Sequence, residues 1–124
     1  GHDGWKADYS PTSLDMLGKW LATNLESRRS SFKEKKLSES DLSLVFDVCL
    51  YLSNVLLKNI PGLSWEQELS NKQNLDYGHA VIKGFKSMKC NPLRIVTSLA
   101  YGLTNGKSKA TRLGEIYEYW KNDR

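Results

Sequence analysis

Few residues in this chain of 124 have the types and spacing of an acid–base catalytic site. His79 is the only histidine besides His2, and Asp76 and Tyr77 come shortly before it. A histidine acts as a general base when a nucleophile or a carboxylate lies within hydrogen-bond distance, but the Asn, Asp and Gly residues around this stretch are typical of a turn. We therefore expect His79 to be structural, and we predict no catalytic residue.

Metal and cofactor sites are not predicted either. Cys49, Cys90 and His79 have none of the spacings of zinc sites, so the two thiols are expected to be free, although a bridge between them stays open. The segment Gly102 to Ser108 resembles a phosphate-binding loop, but it has three residues instead of four between its glycines and follows a predicted helix. A helix cap and a turn are the expected structure there.

Glu66 and Glu68 form the one pair of carboxylates expected on a single strand face. Such a pair can share acid and base roles. A simpler interpretation is that both glutamates balance Lys83 and Lys86 across a hairpin. Enzymatic activity near this hairpin is therefore an alternative hypothesis, and we favour a non-catalytic function.

A basic connector spans residues 26–38. It contains a candidate anion patch of five cations: Arg28, Arg29, Lys33, Lys35 and Lys36. Phe32 is its only aromatic residue, so the connector offers no row of stacking platforms for bases. The net charge of +4 is too small to identify an anionic partner. A solvated connector is the favoured interpretation, and weak nucleic-acid binding is a further alternative.

Apolar residues at helical spacing predict four helices. Ser10, Ser38 and Asn91 are the expected N-terminal caps, and proline follows Ser10 and Asn91 directly. The second helix is apolar on nearly every side, which predicts that it is central and buried on almost all of its surface. The expected helices span residues 8–25, 41–60, 92–104 and 109–121. The main face of the second carries Leu42, Val45, Phe46, Cys49, Leu52 and Leu56.

Two segments between the second and third helices, 63–69 and 79–85, alternate in hydrophobicity and flank a run rich in Asn, Asp and Gly. This pattern predicts a β-hairpin packed on the helices. The expected fold is a single α+β domain dominated by four helices, with residues 1–7 as a tag remnant and flexible N-terminus. No signal peptide or membrane span is predicted, and we expect a cytoplasmic location.

Aromatic residues are numerous in this chain, and they form either a partner surface or an aromatic-rich core and rim. The candidate partner surface consists of Tyr77, Tyr101, Tyr119 and Trp120. Exposed amphipathic rings are favoured at protein interfaces because they supply rigid contact area. The favoured function is therefore a protein-interaction module that binds an unidentified partner or a second copy of itself.

Four segments, 8–14, 50–59, 81–85 and 91–96, together resemble a loose group of small bacterial proteins without assigned catalysis. In that group a helix ends in a Gly-Glu-Val-like turn before a strand with tryptophan, and an Asn-Pro helix follows. This chain has Ser53, Asn54 and Val55 where the resemblance would place Gly-Glu-Val. The resemblance implies an immunity-like, antitoxin-like or accessory role.

Overall fold

The computed structural model describes residues 8–25 and 37–123. This part of the chain forms four helices and one two-stranded antiparallel sheet, which confirms the predicted α+β class. Residues 1–7, for which a tag remnant and flexible N-terminus were predicted, and all of the basic connector except residues 37 and 38 lie outside the described residues. The elements, in chain order, are α1 (Ser13–Asn24), α2 (Glu39–Asn59), β1 (Ser64–Gln67), β2 (Ala80–Lys83), α3 (Pro92–Thr104) and α4 (Arg112–Asn122).

Helix α1 begins five residues later than predicted because the chain first makes a turn. The N–H of Ser13 donates to the carbonyl oxygen of Ser10 at 3.1 Å and to its hydroxyl at 3.3 Å. Ser10 thus closes the turn that leads into the helix. The predicted leucine stripe of α1 is buried, as expected from its helical spacing: Leu14, Leu17, Leu21 and Leu25.

Helix α2 begins at the predicted cap. The Asp41 N–H donates to the Ser38 hydroxyl and the Ser38 N–H donates to the Asp41 carboxylate, both at 3.1 Å, which forms a capping box. The helix packs against α3 and α1. It is long and apolar enough to cross a membrane, but a buried core helix meets the same criteria, and 44% of its most apolar stretch is buried inside the fold. Its core face consists of Val45, Val48, Cys49, Leu52, Val55 and Leu56.

The prediction that α2 is covered on nearly every side is wrong along one flank. Leu42 and Phe46, expected in the buried face, are 48% and 53% exposed, and Leu50 beside them is 45% exposed. The described part of the chain has three other helices and a small hairpin, which is too little structure to cover a helix that is apolar all round. One side of α2 therefore stays in contact with solvent.

Strands β1 and β2 form the predicted hairpin, shorter at both ends than expected. Their register places Trp65 opposite Ile82 and Glu66 opposite Val81. Beyond β2 the chain returns and Ile82 forms an isolated bridge with Cys90. Since Val81 and Ile82 are both fully buried, the hairpin is anchored through β2.

Helices α3 and α4 complete the core. Asn91 caps α3, and its side-chain oxygen accepts a hydrogen bond from the Arg94 N–H at 3.2 Å. Helical spacing predicts Leu93 in one buried stripe of α3 with Val96, Ala100 and Leu103, but Leu93 is 40% exposed. Helix α4 buries Leu113, Ile116, Tyr117 and Trp120.

Candidate functional site

Three large apolar side chains form a ridge along the uncovered side of α2. Leu42, Phe46 and Leu50 are four residues apart, a spacing that places side chains on one side of a helix. Each is about half exposed. We call these three residues the α2 ridge. Large side chains in such a row lose contact with water when another molecule covers them, which favours binding.

A groove of about 380 Å³ lies between the α2 ridge and the hairpin. Phe46 and Leu50 form one wall, and Trp65 of β1 contributes the aromatic ring of the hairpin side. Leu93, at the start of α3, borders the groove, and Cys49 also lines it. Trp65 is 43% exposed, so both sides of the groove offer apolar area to an incoming side chain. We call this feature the α2–β1 groove.

His79 and Asn91 are the polar residues of the α2–β1 groove. The Asn91 amide nitrogen lies 3.0 Å from the Asp76 carboxylate and 3.0 Å from Nδ1 of His79. The Arg94 guanidinium lies 3.1 Å from the same Asp76 carboxylate. This network ties the loop before β2 to the start of α3.

The tautomer of His79 follows from the capping bond of Asn91. Since the Asn91 side-chain oxygen accepts from the Arg94 N–H, its amide nitrogen must face Asp76 and His79 and donate to them. Nδ1 of His79 then accepts, and in the neutral ring the hydrogen is on Nε2. Asp76 pairs with Asn91 and Arg94 instead of orienting the imidazole. His79 is thus arranged as a fixed hydrogen-bond donor, without the carboxylate partner of a general base.

The hairpin carboxylates have a different partner from the one expected. Lys89 Nζ lies 2.7 Å from Glu66 and 3.1 Å from Glu68, so the prediction that Lys83 and Lys86 balance them is wrong. Lys89 reaches both because the chain folds back after β2. Hydrogen bonding from the neighbouring Ser70 hydroxyl, followed by Lys89, lowers the pKa of Glu68 to about 2. A carboxylate held as an anion in this way suits an ion pair better than a general acid.

Cys49 and Cys90 are buried and free. Burial raises the pKa of the Cys49 thiol, and it raises the pKa of Cys90 to about 12. The thiolate is the reactive form of cysteine, so both side chains are unreactive at neutral pH. The structure therefore has no disulfide bond between Cys49 and Cys90, an alternative that the sequence left open.

The segment Gly102 to Ser108 is a helix end, as predicted. The N–H groups of Lys107 and Ser108 donate to the Gly102 carbonyl oxygen at 2.8 and 3.0 Å. Gly106 has a φ of 79°, the left-handed conformation typical of such turns. Because these amides already have an acceptor, they do not form a phosphate cradle.

The candidate aromatic residues are spread over three parts of the fold. Tyr77, Tyr101 and Tyr119 are exposed, but they lie in the hairpin loop, on α3 and on α4, and no ring contact among the described residues joins them. Trp120 is only 6% exposed and packs against Phe85 with ring centroids 4.8 Å apart. Its assignment to a partner surface is wrong, because its position on α4 faces the core. The anion patch of Arg28, Arg29, Lys33, Lys35 and Lys36 lies outside the described residues.

A second apolar cleft, of about 480 Å³, lies between α1 and α2. Trp20 and Tyr51 line it, and both rings are mostly covered. The Tyr51 hydroxyl is already bonded to the Ser13 hydroxyl at 2.7 Å. The α2–β1 groove exposes more large side chains. Within residues 8–25 and 37–123, no group of three or more His, Cys, Asp or Glu residues is placed to hold a metal ion.

Two residues of the α2–β1 groove were missed as surface residues. Phe46 and Leu93 were assigned to buried stripes because their spacing fits a helix face. The available signal was the excess of apolar residues around α2, since a helix with more apolar faces than neighbours must expose one of them. Spacing alone does not tell which face that is.

Comparisons with known proteins give no further guide to function. No protein-family model matches the chain, and no curated protein or solved structure is significantly similar to it. Function is therefore inferred from the geometry of the groove.

Proposed function

We propose that this chain is a non-catalytic protein-binding module whose partner covers the α2 ridge and the α2–β1 groove. The observation that carries the proposal is that Phe46, Leu50, Trp65 and Leu93 all border one groove while each remains about half exposed. At these exposures the four residues present about 300–350 Å² of surface, the size of the largest apolar patch on a typical monomer, which is often functional. The ring of Trp65 would be a strong anchor for a partner.

Charge around the α2 ridge favours a partner with a cation at one end of its apolar face. Glu39 and Asp47 flank Leu42 and Phe46 in a shallow depression at the start of α2. An apolar segment with a lysine or arginine on that side would complement both carboxylates. The same carboxylates would repel the phosphates of a nucleic acid, which supports a protein partner at this face. Nucleic-acid binding by the basic connector remains an alternative prediction.

The small-enzyme alternative is less well supported by the groove. Its two polar groups, His79 and Asn91, bond to each other, and the thiol of Cys49 is held protonated by burial. These features favour recognition of a main-chain or side-chain acceptor by His79 Nε2. They do not assemble a nucleophile and a base.

The resemblance to small bacterial accessory proteins suggests what kind of partner this is. We propose that the chain is an immunity-like or antitoxin-like protein of the bacterial cytoplasm, and that its partner is a protein that it keeps inactive. The other version of the hypothesis is self-association through the same ridge, in which the partner is a second copy of this chain. Solution mass separates the two, because self-association through the ridge requires a dimer that Phe46→Asp converts to a monomer.

The proposal is tested by capture from the cells of origin with three baits. These are the unaltered chain, Phe46→Asp in the groove, and Tyr119→Asp as the control. Tyr119 is a suitable match because it is 60% exposed and lies on α4, away from the groove. The expected result is one stoichiometric partner that binds the unaltered chain and Tyr119→Asp but not Phe46→Asp, with the affinities confirmed by calorimetry on purified proteins.

Two results would count against the proposal. A partner lost with Tyr119→Asp but kept with Phe46→Asp would place the interface on the scattered tyrosines instead. Recovery of no stoichiometric partner under several conditions, together with a monomeric solution mass, would remove the binding function itself.

A further inference from the structure

The hydrogen bonds of the hairpin leave one strand edge free. Ile82 donates its N–H to the Cys90 carbonyl oxygen at 2.7 Å and accepts from the Cys90 N–H at 2.9 Å. Both main-chain groups of Ile82 therefore point away from β1. Directly opposite residues in an antiparallel pair alternate between those that exchange hydrogen bonds and those that do not. Trp65, opposite Ile82, thus belongs to a pair that exchanges none.

The main-chain groups of Trp65 point to the outer side of the sheet as a consequence. Those of Gln67 do the same, since it lies two residues further along β1. The described sheet has two strands, and no main-chain hydrogen bond from another described residue reaches this outer side. The sequence Ser-Trp-Glu-Gln contains neither lysine nor proline, the residues that commonly protect such edges.

The free edge of β1 lies beside the α2–β1 groove. The Trp65 side chain shares a sheet face with Ile82, whose side chain is in the core, so this face looks toward the helices. A third strand would lie about 4.8 Å beyond β1 and would point every second side chain to that face. Those side chains would extend the apolar face that Trp65 contributes to the groove, which Phe46 and Leu50 also line.

We propose that the partner adds an extended segment to β1 as a third strand and places its alternate apolar side chains in the α2–β1 groove. This inference rests on the proposed protein-binding function and specifies how binding occurs. An extended segment forms hydrogen bonds with the free N–H and C=O groups of Trp65 and Gln67, and its side chains also fill the groove. A helix in the same groove would leave those main-chain groups without protein partners. The segment is therefore an extended peptide of alternating apolar residues.

Gln67 allows a test that separates the strand edge from the groove. Proline at position 67 removes an outward N–H without removing a hydrogen bond to β2, which is the position where edge strands accept proline. Gln67→Ala is the matched control, because it also loses the side-chain bond to the Gly78 carbonyl oxygen but keeps the N–H. Phe46→Asp tests the groove itself.

The probe is a linear peptide selected from a random phage-displayed library on the immobilised full chain. We expect Gln67→Pro to weaken peptide binding about tenfold or more, because at least one main-chain hydrogen bond is lost. The affinity of Gln67→Ala should stay within about threefold of that of the unaltered chain. Phe46→Asp should weaken binding at least as much as Gln67→Pro. A second measurement uses the unaltered protein and peptides that are N-methylated at one residue each. Methylation should block binding at every second position of the peptide, and this result tests strand addition even if Gln67→Pro does not fold.

The possible failures are distinguishable. A peptide that is lost with Phe46→Asp but keeps its affinity for Gln67→Pro, or tolerates N-methylation at every position, overturns strand addition and leaves the groove as a binding site. Selection of no peptide also overturns strand addition, because a short extended segment should suffice. A peptide whose binding ignores Phe46→Asp contradicts the groove and the proposed function together.

Discussion

Trp65 and Ile82 lie directly opposite each other in the hairpin, yet Ile82 is fully buried and Trp65 is almost half exposed. The difference arises because Ile82 is in the inner strand, between β1 and Cys90, whereas Trp65 is at the edge. The same relationship directs the main-chain groups of Trp65 outward. One residue pair thus explains both the exposed aromatic ring and the free sheet edge next to it.

The α2 ridge should contribute little to stability. We expect Phe46→Asp to change the free energy of unfolding by less than about 1 kcal/mol, because the side chain is 53% exposed and touches solvent along the groove. Leu52→Ala, on the buried face of the same helix, should cost about 2–5 kcal/mol. Urea denaturation of both variants measures the difference. Equal losses would show that the ridge is covered in solution.

Local signals in the sequence predicted the helices well. Ser38 with Asp41, and Asn91 with Pro92, marked helix starts correctly because capping depends on the few residues whose N–H groups it satisfies. The run of turn-forming residues between 69 and 79 likewise placed the hairpin. These features are local, so they can be inferred without knowledge of the rest of the fold.

The surface could not be predicted in the same way. Whether Phe46 or Val45 faces the core depends on where α1 and α3 cross α2, and Lys89 reaches Glu66 only because the chain folds back after β2. Such facts depend on tertiary packing. Phe46 and Leu93 were therefore assigned to the core, and Trp120, which is in the core, was assigned to the partner surface.

Asn91 should stabilise the site through two separate contacts. Asn91→Ala removes the cap of α3 and the bridge between Asp76 and His79, and we expect it to cost about 2–3 kcal/mol. Asn91→Ser keeps a capping hydroxyl and should recover about 1 kcal/mol of that loss. Denaturant titration of the two variants tests this. If Asn91→Ser were as stable as the unaltered chain, the bridge to Asp76 and His79 would contribute nothing.

The ion pair of Glu68 should make stability fall in acid. Its pKa is lowered from 4.5 to about 2 by the Ser70 hydroxyl and Lys89, so its contribution is complete above pH 4.5 and is lost as the pH falls toward 2. Glu68→Gln should be less stable than the unaltered chain at pH 6, and this gap should close near pH 2. Unfolding curves at both pH values measure it, with Glu118→Gln, an exposed residue of α4, as the control for lost charge. A gap that does not change with pH would contradict this role of Glu68.

The two cysteines should react only when the protein unfolds. Both thiols are buried, and burial raises the pKa of each, to about 12 for Cys90, so neither offers a thiolate to a reagent in the folded state. We expect Ellman's reagent to leave the native protein almost unlabelled and to modify both thiols in concentrated guanidinium chloride. Single Cys49→Ala and Cys90→Ala variants identify which thiol reacts first as denaturant rises, and neither should precede global unfolding. Rapid labelling of the native chain would show that the core around Cys49, directly beneath the groove, opens in solution. Absence of free thiol after unfolding would show that the two sulfurs are bonded.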